Sequence, residues 1–160
     1  MKYFSVQTKD SCLSIMFEDS ATRNSFSVAA ARELREILAA NSSASALIFS
    51  ARGRVFCSGG NLSDYASMSS AEEGMKVNNE IRSALSELSA LPIPTICVVE
   101  GDCFGGGVEV VSCFDHVIAA SHVVFALWQR KISLTYGWGG GSRLERRLGS
   151  SLLRNLSLST

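Results

Sequence analysis

The sequence has no excess of charge of either sign, because 15 lysines and arginines balance 15 aspartates and glutamates among its 160 residues. This balance excludes the broad electrostatic attraction by which basic proteins bind nucleic acid or an anionic membrane. No apolar run approaches the roughly 18 residues that a membrane-spanning helix needs, and the N-terminus lacks the long apolar stretch of a signal peptide. We therefore predict a cytoplasmic protein with neither a nucleic-acid nor a membrane partner.

The sequence also lacks the patterns of a disulfide framework and of a metal site. Its five cysteines are an odd number and include no C-x-x-C pair, which argues against structural disulfides. Neither His116 nor His122 stands at finger-like spacing from a cysteine pair, so no metal site is predicted. Most of the cysteines are interpreted as small hydrophobic side chains. Cys57, beside a Gly-Gly turn, stays open as a thioesterase nucleophile.

What the sequence does contain is enough apolar material for a folded core. Hydrophobic residues make up 46% of the chain and charged residues 19%, which excludes intrinsic disorder. The length suits a single domain, and we predict one domain over residues 1–160. Short β-rich runs alternate with helical patterns, which indicates an α/β fold.

This alternation also predicts where the elements lie. Ser27 and Ser70 have the spacing of N-caps for two long helices, and Gly149 is a candidate C-cap. We expect strands over 4–7, 13–17, 46–49, 95–99, 116–119 and 123–126, and helices from Ser27 to Ala40, after Ser70, from about Gly106 and over 142–148.

Two glycine-rich turns follow predicted buried strands, at residues 56–62 and 101–109. Neither turn has the spacing of a P-loop or a dinucleotide-binding motif. Glycine lets the backbone approach a ligand closely, and the first amides of a helix starting near Gly106 lack an intrahelical acceptor. With a second donor from the Gly59-Gly60 turn, these amides predict an oxyanion hole for a carbonyl oxygen.

Glu109 lies in the first turn of the predicted helix among valines. Favourable pairing with the helix dipole is one interpretation of a carboxylate at this place. Because Val108, Val110 and Val111 surround it, Glu109 is also expected to be desolvated, which raises the pKa of a carboxyl group toward values useful for acid–base catalysis.

Four ordered blocks make the chain resemble the crotonase superfamily, the enoyl-CoA hydratase/isomerase family. The blocks are Asn24-Ser25-Phe26-Ser27, residues 56–62, residues 105–109 with Cys113-Phe114-Asp115, and Phe125 through Gly139-Gly140-Gly141-Ser142-Arg143-Leu144. The resemblance implies a core of ββα units arranged in a spiral, and a CoA thioester as substrate with no further cofactor. It also implies a homo-oligomer, either a trimer or a dimer of trimers.

The resemblance assigns roles to particular residues. The thioester carbonyl would lie between the N–H groups of Gly60 and Gly106, and Glu109 would be an acid/base carboxylate acting on an enolate intermediate. The other residues it places along the CoA or near the acyl pocket are Arg23, Asn24, Ser58, Asn61, Leu62, Trp128 and Trp138. For Arg23 an exposed loop position is an equal alternative, and for the two tryptophans core packing is the alternative.

Departures from the family pattern leave the reaction open. The second hydratase glutamate falls on Gln129, which can orient water or substrate but cannot transfer a proton. A proline common in the family is Tyr136 here, and Asn61 replaces an acidic residue. Isomerisation and decarboxylation therefore fit as well as hydration. The alternative is a non-catalytic acyl-CoA-binding or assembly subunit.

The end of the sequence at Thr160 departs from the family as well. Family members continue into a C-terminal helical region that contacts neighbouring subunits, and here that oligomerisation region is missing after a helix expected to follow Gly149. The expectation is either a fragment or a shortened member of the family.

Overall fold

The structure is a computed structural model that describes residues 1–66 and 68–159. Its strands are β1 (Phe4–Lys9), β2 (Cys12–Phe17), β3 (Ala46–Ala51), β4 (Val55–Cys57), β5 (Thr95–Val99), β6 (Asp102–Phe104), β7 (His116–Ala119) and β8 (Phe125–Ala126). Its α-helices are α1 (Val28–Ala40), α2 (Ser63–Ala66), α3 (Ala71–Ser89), α4 (Gly106–Val111), α5 (Gly140–Leu148) and α6 (Ser150–Leu158). Short 3-10 helices cover Ser20–Thr22 and Trp128–Ile132.

The strands form two sheets, and from β3 onward consecutive strands alternate between them. The larger sheet has the order β1-β2-β3-β5-β7, in which β1 and β2 pair antiparallel and the other neighbours pair parallel. The smaller sheet has the order β4-β6-β8 and is parallel throughout. From β3 onward, one strand of each pair joins the larger sheet and the next strand joins the smaller one. This arrangement confirms the predicted spiral of ββα units.

The two long helices begin at the predicted caps. The Ser27 hydroxyl accepts a hydrogen bond from the Ala30 N–H (3.1 Å), and the Ser70 hydroxyl accepts one from the Glu73 N–H (3.2 Å). Each cap satisfies an amide that lacks an intrahelical acceptor. Helices α1 and α3 pack against each other, and their apolar faces are buried.

A chain of aromatic rings links the core of the larger sheet to the glycine-rich turns. Phe4 stacks on Phe17 with a centroid separation of 4.9 Å, Phe17 meets Phe26 at 5.9 Å, and Phe26 meets Trp138 at 6.0 Å. All four side chains are buried. Aromatic pairs at these separations stabilise the fold beyond the area they bury, so the region around Trp138 is continuous with the core.

Several predicted boundaries are wrong by one or two residues. Strands β1, β2 and β3 extend past the predicted limits, because ladder hydrogen bonds pair polar residues as well as apolar ones up to Lys9↔Cys12. Strand β8 starts at Phe125 rather than at residue 123, and α5 starts at Gly140 rather than at residue 142. The low helix propensity of glycine concealed that start.

Candidate active site

The two glycine-rich turns lie side by side at the start of α4. Gly59 has a φ of +104°, and a Cβ added to it would lie 3.6 Å from the Gly106 backbone nitrogen. Neither the Gly60 N–H nor the Gly106 N–H donates a hydrogen bond to a residue that the structure describes. Two unpaired main-chain donors on neighbouring turns are the arrangement that an oxyanion site requires.

The Glu109 carboxylate lies inside the protein and is held by main-chain amides. The residue is 2% exposed, and its Oε2 accepts hydrogen bonds from the N–H groups of Trp138 (2.9 Å) and Gly140 (2.8 Å). A Cβ added to Gly140 would lie 2.3 Å from Glu109 Cγ, so the loop before α5 approaches the carboxylate closely because residue 140 has no side chain.

Burial raises the pKa of Glu109 above its ordinary value of 4.5. The hydrogen bonds from Gly140 and Trp138, the Gln129 amide and the charge of Arg143 oppose this rise without cancelling it. Desolvation disfavours the ionised form of a carboxyl group, whereas N–H donors and a nearby cation favour it. The elevated pKa predicted from the valine-rich helix is therefore confirmed.

Arg143 is a residue of this site that the sequence reasoning missed. Its guanidinium donates to the Ser112 hydroxyl (3.0 Å), to the Trp138 carbonyl (3.0 Å) and to the Glu109 carbonyl (3.4 Å). It therefore joins α4 to the loop that carries Trp138. A cluster of arginines near the C-terminus predicts a solvated or subunit-contacting face, and that interpretation is wrong for Arg143. Its place in the Gly140–Leu148 helix beside the glycines is the signal for its inward direction.

Gln129 brings a buried amide to the region of Glu109. Its side-chain nitrogen and oxygen make no hydrogen bond of normal length and angle with the described residues, but the amide is close enough to the Glu109 carboxylate for a weak hydrogen bond that lowers the pKa of Glu109. A buried amide whose hydrogen-bonding capacity is largely unused costs free energy, and such groups in native proteins call for an explanation.

Trp138 fills the space next to the two free amides. The residue is 4% exposed. A Cβ added to Gly106 would lie 2.3 Å from Trp138 Cζ3, and one added to Gly60 would lie 3.1 Å from Trp138 Cζ2. The six-membered ring of the indole therefore contacts both glycines, which places Trp138 at the predicted site as well as in the core.

The structure brings together two of the segments expected along the CoA. The Ser58 N–H donates to the Arg23 carbonyl and the Ser58 hydroxyl donates to the Thr22 carbonyl, both at 3.2 Å. Arg23 is exposed. Asn24 is buried: its Oδ1 accepts from the Asp19 N–H, and its Nδ2 donates to the carbonyls of Arg52 and Val55. These bonds hold the loop of Asn24 against β4, and a contact of Asn24 with substrate stays a prediction.

Three further residues predicted to bind substrate lie around these turns. The Asn61 side chain accepts bonds from the Ser63 N–H (3.0 Å) and hydroxyl (2.6 Å) at the start of α2, and Leu62 is 68% exposed. Trp128 stacks on Phe104 with a centroid separation of 4.2 Å. Trp128 is 41% exposed and Trp138 is 4% exposed, so the two tryptophans differ in their surroundings.

Cys57 is poorly suited to act as a nucleophile. It is 1% exposed, and burial raises the pKa of its thiol to about 12. Since the thiolate is the reactive form, a thiol in this state does not attack at neutral pH. All five cysteines are free. His116 and His122 are exposed, and the described residues contain no His, Cys, Asp or Glu cluster suited to a metal ion.

A cavity of about 550 Å³ lies on the other face of α4. Its lining includes Val108, Val111, Leu144 and Trp128 but not Gly60, Gly106 or Glu109. The cavity is thus separate from the carboxylate of Glu109.

None of the helices in the described part of the chain is long and apolar enough to cross a membrane.

The sequence matches known proteins over most of its length. The model of the enoyl-CoA hydratase/isomerase family matches residues 7–160. Mitochondrial methylglutaconyl-CoA hydratase of Homo sapiens is 38% identical over 105 residues, which are 66% of this chain and 31% of that protein. Ethylmalonyl-CoA decarboxylase of Gallus gallus is 31% identical over 104 residues, which are 65% of this chain and 35% of that protein.

Solved structures are similar over nearly the whole chain. Pseudomonas aeruginosa AtuE has a TM-score of 0.90 at 29% identity, covering 98% of this chain and 62% of that one. Enoyl-CoA hydratase from Bacillus anthracis has a TM-score of 0.88 at 28% identity, covering 96% and 61% respectively. These similarities confirm the predicted fold. The matches span about a third of the length of the curated relatives.

Proposed function

The chain belongs to the enoyl-CoA hydratase/isomerase family, and on this premise we propose that it polarises the carbonyl of an acyl-CoA thioester at Gly60 and Gly106. In this proposal Glu109 moves the proton to or from the acyl group. The observation that carries it is a buried carboxylate, held by the loop of Trp138 and Gly140, beside two main-chain donors without partners.

The two amides would stabilise the enolate that forms when a proton leaves the carbon next to the thioester. Charge on the thioester oxygen grows in the transition state, and donors fixed in advance need no reorganisation to meet it. Removing one such donor typically costs about 2.7–4 kcal/mol of transition-state stabilisation. Both donors are backbone groups, so their positions depend on the fold of residues 56–62 and 105–109.

Glu109 has the protonation behaviour that this role needs. Its elevated pKa brings it closer to neutral pH, where a group is able both to accept and to release a proton. The two amides on Oε2 fix the carboxylate and leave Oε1 to exchange the proton with substrate. The Arg143 guanidinium, through its bonds to Ser112 and the Trp138 carbonyl, keeps this loop in place.

Gln129 makes one-carboxylate chemistry the best fit. An amide donates and accepts hydrogen bonds but does not transfer a proton, so the usual two-carboxylate route to hydration lacks a partner. Isomerisation and decarboxylation both proceed through an enolate with a single proton-transfer group. In this proposal the buried Gln129 amide beside Glu109 orients the acyl group or a water molecule.

Turnover of an acyl-CoA panel tests the proposal. The panel includes an enoyl-CoA, a β,γ-unsaturated acyl-CoA and a malonyl-type CoA, with products identified by mass spectrometry. The expected result is turnover of at least one thioester and its loss in Glu109→Gln, which keeps the size of the side chain and one acceptor oxygen for the Trp138 and Gly140 amides but cannot transfer a proton. Full activity of this variant on the best substrate would show that Glu109 is not the proton shuttle.

A second candidate is a subunit that binds acyl-CoA without converting it. It is favoured by Gln129 in place of a second carboxylate and by the indole of Trp138 beside the glycine amides. Calorimetry separates the two candidates, because tight binding of a CoA thioester with no product from the whole panel would support the binding subunit alone.

We also propose a homo-oligomer that needs no cofactor besides the CoA of its substrate. Exposed apolar side chains on β7 and α6, among them Ile118, Leu152 and Leu156, support self-association. Light scattering after size exclusion tests the oligomer, for which a trimer or a dimer of trimers is expected. A cytoplasmic location stays a prediction.

A further inference from the structure

Trp138 lies against the proposed oxyanion donors with its indole and against the proposed proton shuttle with its backbone. Its six-membered ring contacts both Gly60 and Gly106, as shown by the 3.1 and 2.3 Å distances to a Cβ added at each. Its own backbone N–H bonds Glu109 Oε2 at 2.9 Å. One residue therefore touches all three groups that the proposed function assigns to the reaction.

This indole is held in place from several sides. Its Nε1–H donates to the Tyr65 hydroxyl (3.4 Å), which in turn donates to Asn78 Oδ1 (2.8 Å). The Phe26 ring packs against it at a centroid separation of 6.0 Å, and the Arg143 guanidinium bonds its carbonyl. A side chain fixed by packing and by hydrogen bonds is a rigid wall rather than a mobile cover.

We propose that Trp138 determines specificity by limiting the acyl group to short chains. This inference rests on the proposed function. An acyl group whose carbonyl lies at Gly60 and Gly106 keeps its first carbon within reach of Glu109, and the indole, which packs against both glycines, borders the space beyond that carbon. A long chain meets the indole, whereas an acetyl or butyryl group ends before or beside it. The substrate class is therefore a short-chain acyl-CoA.

The test compares the affinities of acetyl-CoA, butyryl-CoA and octanoyl-CoA by calorimetry. The wild-type chain is expected to bind butyryl-CoA at least as tightly as octanoyl-CoA. In Trp138→Leu the ratio of octanoyl-CoA to butyryl-CoA affinity should rise about tenfold or more, because each added methylene gains affinity once a pocket is open to it. The Phe4→Leu variant removes a buried ring that contacts neither glycine, and it should keep the wild-type ratio.

A fluorescence measurement covers the case in which Trp138→Leu does not fold. The chain has two tryptophans, so in Trp128→Phe the emission comes from Trp138. Butyryl-CoA should change this emission at the concentrations at which calorimetry detects binding. Binding that leaves the Trp138 emission unchanged would overturn the inference.

The outcomes separate the inference from the proposed function. Binding of thioesters with the same chain-length ratio in wild type and Trp138→Leu would overturn the role of Trp138 alone. A wild-type chain that prefers octanoyl-CoA would do the same. Absence of binding for all three thioesters would overturn the proposed function, and the inference with it.

Discussion

At the scale of single residues, the candidate site holds a carboxylate in an apolar interior with main-chain amides. The environment of Glu109 contains two opposing effects, since burial favours its neutral form while the N–H groups of Trp138 and Gly140 favour its ionised form. Burial is the larger effect, so the pKa is raised. Ionisation of this buried carboxyl group therefore lowers the free energy of unfolding at neutral pH.

The first prediction concerns the pH dependence of stability. At a pH well below 4.5 the carboxyl of Glu109 is protonated in both the folded and the unfolded chain, so its ionisation has no effect. As the pH rises from 4.5 toward the elevated folded-state pKa, the unfolded chain ionises first, and the free energy of unfolding falls. Relative to Glu109→Gln, the wild type should therefore lose stability over this interval.

Urea denaturation of both proteins from about pH 4 to about pH 8 measures this difference. The Glu109→Gln variant is its own control for other titrating groups, because Asp115 and Glu73, whose pKa values are lowered, are present in both chains. Parallel stability curves would contradict the assigned pKa shift.

The second prediction adds the missing proton-transfer group. Gln129→Glu should introduce hydration of crotonyl-CoA, because a second carboxylate near Glu109 supplies general acid–base catalysis worth about 10²–10⁴-fold. Gln129→Leu is the matched control, because leucine has a similar size but no group that can transfer a proton. The decrease in crotonyl-CoA absorbance measures the reaction, and a folded Gln129→Glu variant that hydrates no faster than Gln129→Leu would contradict the role of this position.

At the scale of elements, the capped helices and the buried strands were predictable, because local chemistry specifies them. The Ser27 and Ser70 hydroxyls each accept a hydrogen bond from the N–H group three residues later, and β5 has the predicted limits. The inward direction of Arg143 and the chain from Trp138 through Tyr65 to Asn78 were not predictable. They join segments that are distant in sequence, and no local pattern encodes such a contact.

The third prediction places the same substitution in two helices with opposite results. Gly74 lies inside α3, where an added Cβ makes only an ordinary 3.7 Å contact with Met68 Sδ, so Gly74→Ala should raise the free energy of unfolding by about 0.8–1 kcal/mol. In α4 a Cβ added to Gly107 would lie 2.8 Å from both the Cβ and the carbonyl oxygen of Cys57. Gly107→Ala should therefore lower stability by about 1–3 kcal/mol.

Thermal and denaturant unfolding of the two variants and the wild type measure the increase and the decrease in the free energy of unfolding. If Gly107→Ala is as stable as the wild type, α4 does not pack against β4 as closely as the structure shows. If Gly74→Ala is less stable, the start of α3 differs from the structure.

At the scale of the whole molecule, the candidate site is assembled by the packing of the two sheets and α5. The turn after β4 supplies Gly60, the turn after β6 supplies Gly106, and the loop before α5 supplies the amides that hold Glu109. The sequence identified Gly60, Gly106 and Glu109 as candidates because their motifs are local. The burial of the Gln129 amide beside Glu109 and the position of the Trp138 indole depend on the assembled fold.

The fourth prediction uses the cysteines as reporters of this packing. Four of the five are buried and Cys12 is half-buried, and burial raises the pKa of both Cys57 and Cys113 to about 12. Iodoacetamide should therefore modify no cysteine except Cys12 in the native protein and all five in denaturant, as counted by mass spectrometry. Rapid native modification of Cys57 with loss of activity would instead support the thioesterase interpretation.

The central claim is that Glu109 exchanges a proton with the carbon next to a thioester held by Gly60 and Gly106, and isotope exchange tests it most directly. The measurement is the rate at which deuterium from D2O enters that carbon of butyryl-CoA, followed by mass spectrometry for the wild type and Glu109→Gln. The wild type should catalyse the exchange, and the variant should be slower by about 10²–10⁴-fold. Equal exchange by both proteins, or none by the wild type while butyryl-CoA is bound, would contradict the claim.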